Sequence, residues 1–206
     1  MIASDRMILE GIVTTLESAG DALDPRRVNV SPMGPLVDET MATLTLRPWS
    51  SSRTYRNLKA HGEGIFHVVD DVELLAHAAV AHVEPPLVPA REITGFRLAD
   101  ACRAYEFRVV SLDDSTERTT IEARVVHVER LHDFFGFHRA RHAVVEAAIL
   151  ATRVDLLPVE DIRRQLGALE PLVEKTGGER ERRAFRFLRE HVESAARRRA
   201  LERSST

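Results

Sequence analysis

Residues 29–58 read N-V-S-P-M-G-P-L-V-D-E-T-M-A-T-L-T-L-R-P-W-S-S-S-R-T-Y-R-N-L, and this stretch organises the prediction for the whole chain. Its first part is a strand that runs into Pro32 and Pro35, which cannot donate ladder hydrogen bonds and therefore indicate a sheet edge. A second strand with alternating apolar and polar residues follows, up to Arg47. Three serines then precede a short helical segment as candidate N-caps. A ligand with a flat polar head and a phosphate tail would suit the bare edge and the helix start together.

Composition limits the class of protein. With 206 residues, 44% of them hydrophobic, the chain can bury the core of one large domain or of one domain plus an appendage. Its 29 basic and 32 acidic residues leave a net charge of -3, which gives no reason to expect a nucleic acid or a membrane as a partner. The single cysteine, Cys102, excludes an internal disulfide framework and indicates a reducing cytoplasm. The sequence shows no signal peptide, and no apolar run reaches the roughly 18 residues of a membrane helix.

The first two thirds of the chain predict short strands joined by turns. Residues 7–16 and 27–31 predict one hairpin, and residues 103–111 and 119–128 predict another. Gly11, inside the first strand, indicates a bulge or a close approach of another backbone. About six strands with two short helices favour a closed or nearly closed barrel over a parallel sheet.

From about residue 131 the hydrophobic period becomes helical. Three amphipathic helices are predicted there, separated by Pro158 and by the pair Gly177-Gly178. We therefore predict an α+β, mostly β fold, with a barrel domain at residues 1–130 and a helical subdomain at residues 131–206.

The segment from Arg47 to Asn57 has the composition of a phosphate site. A helix N-terminus offers free N–H groups and a favourable dipole. The hydroxyls of Ser52 and Thr54 and the guanidinium of Arg47 or Arg53 would supply the remaining donors. An ordinary capped helix with solvated arginines explains the same residues, and composition alone does not decide between the two.

The segment 31–34 is an ordinary turn when it is taken alone. Beside an anion site it acquires a second interpretation, because a flavin ring is read largely by backbone N–H and C=O groups along its pyrimidine edge. A distorted edge strand offers such groups.

Two other motifs are explained more simply by structure than by a ligand. His138, His142 and Glu146 recur every four residues, but the third lies about 12 Å along the helix axis from the first, too far for one ion. No metal site is predicted. The arginine-rich last helix favours a solvated surface with ion pairs such as Glu179 with Arg183 over a nucleic-acid contact.

Five stretches along the chain carry a family resemblance: I-L-E-G-I-V-T-T at 8–15, V-N-V-S-P-M-G-P at 28–35, L-R-P-W-S-S-S-R-T-Y-R-N-L at 46–58, F-G-F-H-R-A-R-H-A-V-V-E-A-A-I-L-A-T-R at 135–153, and E-K-T-G-G-E-R-E-R-R-A-F at 174–185. Together they resemble the DUF447 family of archaeal and bacterial proteins, whose N-terminal part is an FMN-binding split β-barrel related to flavin reductases. His138 departs from the asparagine that we would expect in the family.

The resemblance implies a homodimer with FMN near the subunit interface. By position, the flavin ring would meet Pro32, Met33 and Gly34, with Asn29, Val30 and Ser31 beside them. The ribityl chain and the phosphate would meet Arg47, Ser52, Arg53, Thr54, Tyr55 and Asn57. Arg139 and His142 would add second-layer or partner-chain contacts.

The sequence therefore predicts an FMN-binding flavoprotein, a flavin reductase-like oxidoreductase of unknown substrate. NADH or NADPH would be a transient partner, although no G-x-G-x-x-G fingerprint is present. No catalytic side chain is predicted, because hydride transfer to a flavin needs no protein acid or base. The alternative is a non-catalytic FMN carrier or ligand-sensing module that acts through its helical subdomain.

Overall fold

The computed structural model describes residues 6–17, 24–134 and 136–204. The chain divides into two compact units, one made of residues 1–69 and 84–134 and the other of residues 70–83 and 135–206. The boundary predicted between residues 130 and 131 groups residues 70–83 and 131–134 differently from this division. Residues 70–83 include helix α2 (Val72–Val80). Their helix joins the second unit because its side chains pack against, and form ion pairs with, the C-terminal helices.

The first unit is built on antiparallel strands. In chain order they are β1 (Met7–Ile8), β2 (Gly11–Leu16), β3 (Val28–Met33), β4 (Leu36–Val37), β5 (Thr43–Leu46), β6 (Glu63–Val68), β7 (Leu87–Pro89), β8 (Phe96–Leu98), β9 (Arg103–Asp113) and β10 (Thr120–Arg130). Eight of them form one sheet in the order β1-β4-β5-β10-β9-β6-β2-β3, and β7 pairs with β8 in a separate sheet. Both predicted hairpins, β2 with β3 and β9 with β10, are confirmed.

Strand β3 forms the edge of the large sheet, as the two prolines predict. Hydrogen bonds from Leu9 N to Pro35 O and from Glu17 N to Arg27 O, both 3.1 Å, fix the two ends of the β2–β3 register. Because hydrogen-bonded pairs alternate along an antiparallel ladder, Val30 and Pro32 belong to the pairs that exchange no hydrogen bonds. The N–H and C=O of Val30 and the C=O of Pro32 therefore point to the free edge.

The core of the first unit lies between this sheet and helix α1 (Arg53–His61). Phe66, Phe107 and Leu58 are among its fully buried side chains. The close approach predicted at Gly11 is confirmed, because a Cβ there would lie 2.3 Å from the carbonyl oxygen of His67. Helix α1 ends at Gly62, which has a φ of 68° and whose N–H donates to Leu58 O at 2.9 Å.

The second unit is a bundle of α2 (Val72–Val80), α3 (Arg139–Ala151), α4 (Val159–Thr176) and α5 (Glu179–Ser204). Helix α2 is held to α5 by stacking of His77 on Phe187, with ring centroids 3.8 Å apart. Arg183 makes two hydrogen bonds of 2.8 Å to Glu73 of α2, and it does so in place of the intrahelical pair with Glu179 that the sequence predicts. None of the helices in the described part of the chain is long and apolar enough to cross a membrane.

Candidate functional site

The first turn of α1 contains backbone N–H groups without partners among the described residues. Ser52 is its N-cap, with extended backbone, and its Oγ accepts a hydrogen bond of 3.2 Å from Tyr55 N. The N–H groups of Arg53 and Thr54 make no hydrogen bond within the described residues. The first turn contains no acidic side chain. Two backbone donors and the positive end of the helix dipole are thus left available.

One partly buried and one buried hydrogen bond dock α1 on the β2–β3 hairpin. Asn29 Nδ2 donates to Thr54 Oγ1 at 3.1 Å, and Asn57 Nδ2 donates to Thr15 Oγ1 at 3.0 Å. Thr54 and Asn57 are only 2% and 5% exposed. The start of α1 is therefore fixed beside β3, and the two predicted halves of the site lie together.

Strand β3 presents the second half of the site. Its side chains alternate, so that Asn29, Ser31 and Met33 face the α1 side while the backbone groups of Val30 point to the free edge. Ser31 and Met33 are half-buried, and Met33 packs on the core. Gly34 is closely surrounded, because a Cβ there would lie 2.6 Å from Ile8 Cγ2.

The two predicted arginines lie at the surface of this region. Arg47 is exposed and directly follows β5. The loop after it is anchored by hydrogen bonds from Ser50 N to Glu117 O at 2.8 Å and from Thr119 N to Pro48 O at 3.1 Å. Arg53 lies with its Nε 3.5 Å from Glu17 Oε1, and both side chains are close to half-exposed. An exposed pair at this distance contributes little, so the guanidinium can turn to a ligand at small cost.

The hydroxyl of Tyr55 is hydrogen-bonded to two charged side chains. Its hydroxyl donates to Asp114 Oδ2 at 2.6 Å and accepts from Lys59 Nζ at 3.0 Å. The Lys59 ammonium and the Tyr55 hydroxyl hold the pKa of Asp114 below its usual value, and Asp114 and Tyr55 raise the pKa of Lys59. The phenol end of Tyr55 is therefore engaged with the β9–β10 turn, a partner 59 residues away along the chain that sequence reasoning did not find.

Arg139 and His142 lie on α3 in the second unit, and both are exposed. His142 meets the Phe137 ring edge-on, with centroids 6.1 Å apart. His138, the residue that departs from the family pattern, caps α3 by accepting a hydrogen bond of 3.3 Å from Arg141 N. The roles predicted for Arg139 and His142 in cofactor binding stay predictions.

Two family models match this sequence. The N-terminal domain of DUF447, described as a protein of unknown function, matches residues 9–132, and the DUF447 C-terminal domain matches residues 138–190. The chain belongs to the DUF447 family. The resemblance to DUF447 found in the sequence motifs is thereby confirmed.

Solved structures show the same fold as this DUF447 chain. An FMN-bound DUF447 protein of Methanosarcina mazei is 21% identical with a TM-score of 0.75, and the match covers 89% of this chain and 94% of that one. The 2-nitrobenzoate 2-nitroreductase NbaA of Pseudomonas fluorescens is 17% identical with a TM-score of 0.50, covering 59% of this chain and 64% of that one. The predicted split-barrel fold with C-terminal helices is confirmed.

Proposed function

We propose that this protein binds FMN and acts as a flavin reductase-like oxidoreductase. The observation that carries the proposal is the hydrogen bond of 3.1 Å between Asn29 and Thr54, which joins a helix N-terminus to an open strand edge. FMN needs both, a phosphate site and a row of backbone groups for its ring. The FMN-bound relative of Methanosarcina mazei supports the same cofactor for this chain.

The donor set at the start of α1 fits a phosphate. The free N–H groups of Arg53 and Thr54 would bind its oxygens, and the N-cap Ser52 adds a hydroxyl. Arg47 and Arg53 are exposed and would neutralise its charge. The turn itself adds no opposing carboxylate, because its first residues include no acid.

The free edge of β3 fits the ring of the same ligand. The N–H and C=O of Val30 and the C=O of Pro32 would pair with the donors and acceptors of the pyrimidine edge. Met33 and Ser31, half-buried on the α1 side, would limit the space beside the ring. Docking of α1 on β2 and β3 holds these groups in place before the ligand arrives, which lowers the entropy cost of binding.

Bound FMN would supply hydride and electron transfer, with NADH or NADPH as a transient donor. The residues of this chain bind and orient the cofactor, and none is assigned as an acid or a base. The proposal includes a homodimer with FMN near the interface, in which the exposed Arg139 and His142 of α3 approach the cofactor or the partner chain. Native mass spectrometry that finds only a monomer with FMN bound would exclude that arrangement.

The test is an FMN titration followed by visible absorption, with the released cofactor identified. Wild-type protein should bind about one FMN per chain. The double variant Thr54→Ala with Arg47→Ala should weaken binding by about tenfold or more, since it removes a charged donor and the hydrogen bond that holds the start of α1 beside β3. Arg124→Ala is the matched control. Arg124 is an exposed arginine on β10, and strands β9 and β6 separate β10 from the β2–β3 hairpin on which α1 docks.

Unchanged FMN affinity in the double variant, with a circular dichroism spectrum like that of the wild type, would refute the phosphate assignment. Reduction of bound FMN by NADH or NADPH and its reoxidation by an acceptor would support the oxidoreductase. Tight FMN binding without either step would instead identify the non-catalytic carrier.

A further inference from the structure

The first unit contains a pocket of about 390 Å³ that shares no residue with the proposed flavin site. A volume of this size suits a small organic ligand. The lining includes Val68 of β6, Arg103 and Tyr105 of β9, and His132 and Phe134 after β10.

Backbone hydrogen bonds hold the walls of this pocket in place. Val68 and Arg103 are direct neighbours across the β6–β9 ladder. Cys102 N donates to Val68 O at 2.8 Å, and Cys102 O accepts from the N–H groups of Leu131 at 3.1 Å and His132 at 3.3 Å. The pocket is therefore a built feature of the sheet end and not a gap between loose loops.

Tyr105 contributes an unpartnered polar end to the pocket. The residue is only 5% exposed, and its ring packs in the core with its centroid 6.3 Å from that of Phe66. Its hydroxyl makes no hydrogen bond to any described residue, yet it is not among the fully enclosed polar atoms. Since Tyr105 lines the pocket, we infer that this hydroxyl lies at the pocket wall. A nearly buried donor without a partner among the described residues is uncommon, and it requires a water molecule or a ligand as its partner.

Arg103 lies two residues before Tyr105 and so on the same face of β9. Its guanidinium is exposed and makes no ion pair or hydrogen bond within the described part of the chain. Arg108 of the same strand contrasts with it, because Arg108 pairs with Glu63 at 3.0 Å. A cation and a phenol donor thus reach one pocket from one strand.

We propose that this pocket binds a small carboxylate with an apolar body. The guanidinium of Arg103 matches a carboxylate with two parallel N–H donors, and the hydroxyl of Tyr105 adds a third hydrogen bond. Val68 and the half-exposed ring of Phe134 supply apolar walls.

Two acids close to Arg103 and His132 already have partners of their own. Asp133, which also lines the pocket, is paired with Arg130, and Asp100 lies 3.1 Å from His132 Nε2. Since both carboxylates have partners of their own, neither needs to neutralise Arg103. The site does not require bound flavin, so its existence is independent of the FMN assignment.

The test uses benzoate as the probe and benzamide, which is similar in shape but neutral, as the matched ligand. Isothermal titration of the full-length protein should show benzoate binding in the millimolar range or tighter, and no benzamide binding. Arg103→Gln should weaken benzoate by about tenfold or more, and Tyr105→Phe by a few-fold. Arg124→Gln, which removes another exposed strand arginine, should leave the affinity unchanged.

The proposal is overturned if benzoate does not bind, if benzamide binds equally well, or if Arg103→Gln leaves benzoate affinity at the wild-type value. Binding of inorganic phosphate in place of benzoate would overturn it as well. The conservative Tyr105→Phe keeps the buried ring, so a loss of affinity in that folded variant reports the hydroxyl itself. Failure of the FMN titration, in contrast, would leave the benzoate result unaffected.

Discussion

His67 makes the stability of the first unit depend on pH. Its ring is fully buried between β2 and β8. Leu98 N donates to His67 Nε2 at 3.1 Å, so Nε2 must be unprotonated and Nδ1 donates to Ile12 O, also at 3.1 Å. Protonation of Nε2 would point its N–H at the N–H of Leu98 and break this hydrogen bond. Burial lowers the pKa of His67 from 6.5 to about 4, and the charge of Arg97 acts in the same direction.

The sign of the effect follows from the lowered pKa. Between pH 6.5 and about 4 the unfolded chain binds a proton at His67 and the folded chain does not. The contribution to stability is therefore complete above pH 6.5 and is lost as the pH falls. Each pKa unit is worth about 1.4 kcal/mol, so the free energy of unfolding should fall by about 2 kcal/mol at pH ~5 and by about 3 kcal/mol at pH ~4.

Urea unfolding near pH 7.5 and near pH 5 measures this loss, with the fluorescence of Trp49 as the probe. Trp49 is the single tryptophan of the chain and lies in the first unit, like His67. The variant His67→Gln should lose about 2 kcal/mol less than the wild type over this pH range, whereas His61→Gln, at an exposed position, should behave as the wild type. Burial also lowers the pKa of His191 in the second unit, so the difference between variants isolates His67. Equal losses in the wild type and in His67→Gln would refute the reasoning.

Three further substitutions test other parts of the first unit. Glu106 is 1% exposed and accepts hydrogen bonds from the backbone N–H groups of residues 91–93 at 2.8, 2.7 and 3.2 Å. Glu106→Gln should therefore lower the free energy of unfolding in urea by about 2 kcal/mol. An unchanged free energy would contradict the role of Glu106 in anchoring this loop. Gly11→Ala should lower the free energy of unfolding by about 1–3 kcal/mol, because the added Cβ would lie 2.3 Å from the carbonyl oxygen of His67. If the variant melts at the wild-type temperature, strands β2 and β6 can move apart without cost at this position. Ser52→Ala should lower the free energy of unfolding by about 1 kcal/mol, because α1 loses its N-cap, and it should also weaken FMN binding. Weaker FMN binding with unchanged stability would show that Ser52 contacts the ligand but does not stabilise the helix.

The parts of this fold that the sequence predicts are those set by local pattern. The two hairpins, the cap of α1, the edge position of β3 and the C-terminal helices follow from alternation, serines, glycines and prolines near one another in the chain. The contacts that assemble them do not. Helix α2 joins the second unit partly through Arg141, which donates to Asp70 at 3.1 Å. The two residues are 71 positions apart, so no local sequence pattern predicts this pair.

The same limit applies to the candidate sites. Residue types at the start of α1 indicate an anion site, but the hydrogen bond from Asn29 to Thr54 that ties it to β3 spans 25 residues and needs the fold. In the carboxylate pocket, the alternation of β9 places Arg103 and Tyr105 on one face. Only the structure shows that neither side chain has a polar partner among the described residues, since this depends on residues far away in the sequence.

Pro32 has a consequence for how the protein behaves at high concentration. An open strand edge is a template for another polypeptide, and proteins with such edges are prone to strand addition and aggregation. At Pro32 the edge of β3 lacks one N–H, and an incoming strand would lose a ladder bond there and meet the pyrrolidine ring. The same residue still offers its carbonyl oxygen to a small molecule. The chain can thus keep this backbone open to a ligand while disfavouring growth of its sheet through a second copy.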